Sequence, residues 1–207
     1  AAAAPVVACD RQCLIAATDA YVAAIVAHDP SKAPLAANAV FVENVTKKQP
    51  GEGLWQSAAS APTPFAIHVP DEINQTVGYL AMMTRMAPPQ APQGATPEQI
   101  AAAATAAPIE QPVMVAFRLQ FDAEGKIAEV EHLLTSVREA QLVNLQTLRP
   151  GILAEIPAAG RLPHERLIDI GVSYYPALDD NDSAGLAIKR MTLPRTTAWS
   201  QSPRGSG

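Results

Sequence analysis

The sequence predicts an α+β domain in which an N-terminal helix precedes an antiparallel sheet. Three observations predict it. A helical apolar pattern runs through Ile15, Val22, Ile25 and Val26 to His28-Asp29-Pro30 and gives way to a strand, Val40 to Val45. A turn, Gly51-Glu52-Gly53-Leu54-Trp55, then feeds a short helix. Further on, Val113 to Phe121 and Ile127 to Leu134 flank Asp122 to Lys126, where Gly125 supplies the positive φ a short loop needs, so these two strands must pair as a hairpin.

The remaining elements follow in order. Asp10 is placed to cap the first helix, which the alanine-rich sequence carries to about Ala27. Phe65 to Val69 alternates weakly, and Gln75 to Arg85 is apolar on both parities, as a strand buried on both faces should be, so the two are expected to pair. A Pro- and Ala-rich insertion follows, with Thr96 set to cap a short helix that has Pro97 at its first position. Ser136 to Leu148 has helical periodicity and stops before Pro150. His164 to Ile170 and the Tyr174-Tyr175 stretch read as one or two further short helices.

Composition bounds the function. At 48% hydrophobic and 17% charged over 207 residues, the chain suits one domain with a real core. Its net charge of -5 and scattered Lys and Arg residues leave no basic stripe for a phosphate backbone, so nucleic acid is not an expected partner. No apolar run is long enough to predict a membrane span. The opening AAAAPVVA resembles what remains after removal of a targeting peptide, which points to a periplasmic or secreted protein. Cys9 and Cys13 are spaced to meet on one helix face, as a local disulfide or as two reduced thiols, and no ligand set for a metal accompanies them. SPRGSG at the other end reads as a flexible tail.

The segment YVAAIVAHDPSKAPLAANAVFVENVTKKQPGEGLW resembles the SnoaL-like, nuclear transport factor 2-like superfamily. The resemblance implies a cone: a curved antiparallel sheet wrapped around helices, with one deep pocket and frequent dimerisation through the sheet's outer face. On that reading residues 1–8 are a flexible tail, 9–135 the cone, 136–200 a helical extension acting as a lid or exchanged arm, and 201–207 a second tail.

Parity along the strands nominates the site. On the second hairpin strand His132 shares a row with Ala128, Val130 and Leu134, the more apolar face, and should point inward as an acid/base or as a core His tied to a carbonyl. Arg118 shares a row with Met114, Ala116 and Gln120. Arg85 shares one with Tyr79, Ala81 and Met83. Either guanidinium fixes an oxyanion if its row faces the pocket, or lies on the solvated face. Tyr21 falls two turns from His28 on the covered helix face, where it donates to an oxyanion or simply packs. Glu43 and Asn44 point to opposite faces, so at most one enters the cavity, as a base or to position a hydroxyl. Trp55 packs or forms a stacking wall, and Met82, Met83, Met86 and Met114 indicate an apolar pocket. No nucleophile elbow, phosphate loop, dinucleotide fingerprint or metal motif is present, so no cofactor is called for.

Together these features suggest an exported, cofactor-independent lyase or isomerase for a hydrophobic, aromatic small molecule. The resemblance narrows this to the bacterial lyases that dehydroxylate and deformylate lignin-derived diaryl dimers with release of formaldehyde. The alternatives are a non-catalytic binding or oligomerising module of the same fold, and a polyketide-type cyclase or dehydratase.

Overall fold

Asp10 opens the first helix, α1 (Arg11–Val26), by accepting the Cys13 N–H at 2.8 Å. In this computed structural model residues 9–179 are described. Both expected tails, and the expected extension from residue 180 onward, lie outside them. Leu14, Thr18, Tyr21, Val22 and Ile25 form the buried stripe of α1, with the Thr18 hydroxyl turned back onto the Leu14 carbonyl at 2.8 Å. Cys9 and Cys13 are joined in a disulfide with Cα atoms 5.2 Å apart. Cys9 stands before the cap, outside the helix, and that is why a spacing of four accommodates the bridge.

The helix ends where His28 takes a left-handed conformation, φ 55°. The N–H groups of His28 and Asp29 then reach the carbonyls of Ile25 and Ala24 at 2.9 and 3.0 Å, the paired bonds of a Schellman stop with His where Gly is usual. The His28 Nδ1–H donates to the Trp55 carbonyl at 2.5 Å, which ties the end of α1 to the Gly-flanked turn. Asp29 caps a 3-10 turn at Pro30–Lys32, and the chain enters the sheet.

Six strands make one sheet: β1 (Leu35–Glu43), β2 (Thr46–Lys48), β3 (Ala66–Asp71), β4 (Thr76–Ala87), β5 (Ile109–Phe121) and β6 (Ile127–Ser136), in the order β2-β1-β6-β5-β4-β3. The expected antiparallel sheet is in fact mixed, because β1 runs parallel to β6. Parallel neighbours need a long connection, and more than eighty residues separate β1 from β6, so no short turn dictates their direction. Two bulges bend the strands, between Leu35 and Val40 and between Gln120 and Phe121. The second also corrects a parity: Ala128 is the extra residue, so Ile127 turns inward and is fully buried instead of sharing a face with Glu129 and Glu131.

The inner face carries the main core. Phe41, Val77, Tyr79, Ala81, Met83, Val115, Phe117, Leu119 and Val130 pack against α1 and against Leu54 and Trp55 of α2 (Leu54–Ser57). On the outer face, Phe65, Met82 and Val137 form a smaller cluster with Leu80, Met114, Leu142, Leu145 and Leu148, so β4 is covered on both sides. The insertion forms α3 (Pro97–Thr105), capped by Thr96 in a capping box with Gln99. The helix expected over 136–148 shrinks to α4 (Glu139–Leu142) followed by turns. Its bonds run from residue i+3 to residue i (Asn144 to Gln141, Leu145 to Leu142), matching the three-residue spacing of the leucines that dock on the outer cluster.

After α5 (Pro150–Leu153) the chain divides into a second compact unit beginning at Ala154. Its described part holds a 3-10 turn at Ala158–Gly160, α6 (His164–Val172) and α7 (Tyr174–Asp179), with Arg161 bonded to Glu155 at 3.0 Å.

The His28 stop yields a test. His28→Ala leaves a side chain at positive φ and removes the bond to Trp55, and should cost ~1–3 kcal/mol in urea denaturation. His28→Gly relieves the backbone and should cost less; equal losses would show that the conformation contributes nothing.

Candidate functional site

One cross-strand row collects the chemistry of the inner face. His68 of β3 pairs with Tyr79 of β4, Tyr79 with Phe117 of β5, Phe117 with His132 of β6, and His132 with Glu43 of β1. The rings follow the register: Phe117 stacks on His132 at 4.0 Å and on Tyr79 at 5.7 Å, and His68 leans on Tyr79 at 4.9 Å. Helix α1 lies over this row and addresses it twice. Its Tyr21 hydroxyl meets His132 Nε2 at 2.8 Å, and its Asp19 carboxylate accepts from His68 Nε2 at 2.8 Å.

The Tyr21–His132–Glu43 group is a closed relay. Tyr21 and His132 are each 1% exposed and Glu43 is 5% exposed. Glu43 ends β1, and a two-residue loop, Asn44 (φ 46°) and Val45 (φ 59°), turns the chain into β2. The Glu43 carboxylate receives the Leu54 N–H at 2.9 Å, Lys48 Nζ at 3.1 Å and, at a longer 3.4 Å, His132 Nδ1. Burial pushes this carboxyl up, but the hydrogen bonds from His132, Leu54 and Lys48 outweigh it and hold the group at about 2. Burial pushes His132 down below the ordinary imidazole range, against the upward pull of Glu43. The assignment that satisfies every atom is an ionised Glu43 and a neutral imidazole with its proton on Nδ1, which leaves Nε2 to accept from the Tyr21 hydroxyl. Burial raises Tyr21 well above 10, the nearby Trp55 indole lowers it somewhat, and the Glu43 charge raises it again. The Trp55 N–H comes close to the phenol without reaching hydrogen-bond geometry, so the buried Nε1 has no partner among the described residues, while its ring stands edge-on to Tyr21 at 5.3 Å.

Gly53 makes room for this arrangement. Its φ is +65°, and a Cβ there would overlap the Glu43 carboxylate. The Gly-Glu-Gly-Leu-Trp turn therefore brings a backbone N–H to the carboxylate from a position without a side chain.

Several nominated residues lie elsewhere. Arg118 is on the outer face, half-exposed, bonded to Glu129 at 2.9 Å and Glu131 at 3.2 Å; it alternates with Phe117, the residue that faces His132. Asn44 is exposed and works as an extra rung of the sheet, its Oδ1 accepting the Leu134 N–H at 2.8 Å. Met83 and Arg85 lie four and six residues beyond Tyr79 along β4, roughly 13 and 20 Å from the row at about 3.3 Å per residue. Met83 is buried in the main core, and Arg85 bridges Ala58 through its backbone.

His68 and Asp19 were missed by sequence reasoning, although a signal existed. The β3–β4 hairpin closes at Asp71 and Thr76, and counting back three residues sets His68 opposite Tyr79. A cleft of about 430 Å³ opens at this end of the row, between α1 (Asp19, Val22, Ala23, Val26), residues 61–63, Ala66, His68 and Tyr79. A second cleft, of about 440 Å³, lies on the outer side between Met114 and the 135–145 segment. Among the described residues no group of three or more His, Cys, Asp or Glu is placed to hold a metal ion, and no helix is long and apolar enough to cross a membrane.

These features define an α+β sheet-and-helix domain with a buried ionisable relay on its inner face. Residues 8–134 match the family described as "Domain of unknown function (DUF8021)", and the chain belongs to it. No curated protein matches. Among solved structures the chain is similar to one in the "Crystal structure of the C. albicans Mtr2-Mex67 M domain complex". Identity is 11%, the match covers 62% of this chain and 97% of that one, and the TM-score of 0.31 is too low to bear on function.

Gly53→Ala should destabilise the fold by ~2 kcal/mol or more in urea, from backbone strain plus displacement of the Glu43 carboxylate. A change within about 0.5 kcal/mol would refute the close approach. The pH dependence has a definite sign. Both Glu43 and His132 sit below their ordinary values, so the unfolded chain binds the extra protons and stability falls as pH drops, first below about 6.5 for His132 and then below about 4.5 for Glu43. Tyr21, raised, adds a loss above pH 10. In urea midpoints measured from pH 7 to 5, His132→Gln should show a shallower decline than the wild type; parallel curves would mean the imidazole does not contribute.

Proposed function

We propose that the domain is of the nuclear transport factor 2-like kind and acts as a cofactor-independent lyase or isomerase on a hydrophobic, aromatic small molecule. The supporting observation is the relay itself: an ionised carboxylate, a neutral imidazole and a phenol hydrogen-bonded in line within an apolar core, beside an indole N–H that has no partner among the described residues. Buried ionisable groups with displaced proton affinities are costly to maintain and concentrate at functional sites. In this reading the Tyr21 oxygen takes a proton from the substrate as its own proton passes to His132 Nε2, Glu43 steadies the resulting imidazolium through Nδ1–H, the proton returns by the same route, and the Trp55 N–H steadies developing negative charge. The relay is sealed at rest, so a substrate reaches the Tyr21 hydroxyl by displacing a ring packed on it, and the Trp55 indole is one such ring.

The narrower proposal is a lyase for lignin-derived diaryl dimers. Protonation of a benzylic hydroxyl, with loss of the phenol's own proton, releases water and leaves a quinone methide. Loss of a proton from the neighbouring hydroxymethyl group then expels formaldehyde, the electrons of the broken carbon–carbon bond restore the ring as a phenolate that takes a proton back, and a stilbene remains. An exported, dimeric protein belongs to the same proposal, and the Cys9–Cys13 disulfide is in keeping with an oxidising compartment.

A non-catalytic binding or oligomerising module is the second reading. It is favoured by the mutual satisfaction of Tyr21, His132 and Glu43, and by the placement of Arg118 against two outer-face glutamates.

Incubation with phenolic diaryl dimers bearing a hydroxymethyl side chain separates the two. The expected result is formaldehyde and stilbene absorbance, with kcat reduced roughly 100-fold or more in Tyr21→Phe and in His132→Ala. A folded wild type that turns over none of the panel removes the diaryl-dimer lyase and shifts the weight to the isomerase and to the non-catalytic module.

A further inference from the structure

The cleft at the His68 end of the row is separate from the sealed relay yet joined to it by stacked rings. Its walls are Val22, Ala23 and Val26 of α1, Ala61 and Pro62 of the loop, and Ala66 of β3, and the Tyr79 ring lines it as well. At about 430 Å³ it falls within the roughly 300–1,000 Å³ usual for small-molecule sites. Its polar equipment is narrow. Asp19 can only accept, so the proton of a neutral His68 is drawn to Nε2, and Nδ1 is left as a lone-pair acceptor with no hydrogen bond to any described residue. The Asp19 carboxylate, largely exposed at the rim, sets the sign of the local field as negative.

We infer that this cleft is a binding subsite for a neutral, planar phenol, its ring between the α1 alanine and valines and Tyr79, its hydroxyl donated to His68 Nδ1. An apolar wall selects an aromatic body. A lone-pair acceptor held in one tautomer selects a hydroxyl over a bare ring, and a carboxylate at the rim disfavours an anion. Tyr79 suits the role because burial, reinforced by Asp19, pushes its hydroxyl up to about 12, so the ring presents no charge to the ligand. The subsite serves as the dock for the phenolic ring of the substrate proposed above, and to that extent rests on that reading. Its binding is measurable without turnover.

Calorimetric titration at pH 8 tests it with naphthalene, 2-naphthol and 2-naphthoate as probes. The wild type should bind 2-naphthol about five-fold or more tightly than naphthalene, and 2-naphthoate most weakly. His68→Phe keeps an aromatic ring and removes the acceptor, so naphthol and naphthalene should become equal. Ala23→Phe fills the cleft from an exposed helix position and should abolish binding of all three. Tyr21→Phe should bind as the wild type does, so that loss of turnover and loss of binding are read separately. Equal affinity for naphthol and naphthalene in the wild type, tightest binding of the naphthoate, no binding of any probe, or binding unchanged by Ala23→Phe would each overturn the assignment.

Discussion

An ionised carboxylate held inside an apolar core must be surrounded by donors, and three parts of the chain converge to supply them to Glu43. The β1–β2 turn returns Lys48 beside it, the Gly-flanked turn brings the Leu54 N–H, and β6 presents His132 Nδ1. Gly53 contributes by having no side chain. Removing one partner from such a group leaves the others arranged around an uncompensated charge, which is why breaking a buried pair typically costs more than the pair contributes. The same requirement sets the tautomer of His132 and, through it, the donor role of the Tyr21 hydroxyl. Helix α1 is thereby oriented on the sheet by a hydrogen bond as well as by Leu14, Val22 and Ile25.

The cross-strand register explains why one helix serves two histidines. His68 and His132 lie in one row with Tyr79 and Phe117 between them, so a helix crossing that row meets both. Asp19 and Tyr21, two residues apart on α1, occupy different sides of the helix and reach one histidine each. One end of the row is wet and open, the other dry and closed. The aromatic stack between them is a continuous packed path, not a gap.

Much of this was legible in the chain and some was not, for definite reasons. The β5–β6 hairpin follows from Gly125 and the flanking apolar runs, but simple alternation from the Phe121–Ile127 pair would set Arg118 and His132 on one face, and only the shift at Ala128 puts them on opposite faces. Alternation failed at Ile127, because a bulge at Ala128 inserts a residue that no propensity announces. The choice between Glu43 and Asn44 was undecidable from pattern, since it depends on which face β1 turns to β6, a tertiary fact. The inward carboxylate is recognisable only once Gly53 is seen to leave space for it. The direction of β1 was hidden for the same reason, and the periodicity of 136–148 misled because leucines every three residues suit tight turns as well as a helix. His68 was within reach of the hairpin register, but its partner Asp19 comes from an element far away in sequence.

The parallel contact between β1 and β6 also governs when this domain can come into being. His132 follows Glu43 by 89 positions, and Tyr21 precedes His132 by 111, so the relay has no local precursor. On a ribosome the α1 helix and the β1–β2 ribbon emerge and wait while β3, β4 and β5 are made, with Phe41 and Glu43 lacking their permanent neighbours. Closure of such distant pairings is slow relative to hairpin formation, because the loop entropy is spent before the contacts return it. Strand β6, the last of the described strands to be synthesised, completes the sheet, brings His132 to Glu43 and closes the aromatic row. During translation, that interval is when the N-terminal third is most exposed to misassociation and most dependent on protection by other factors.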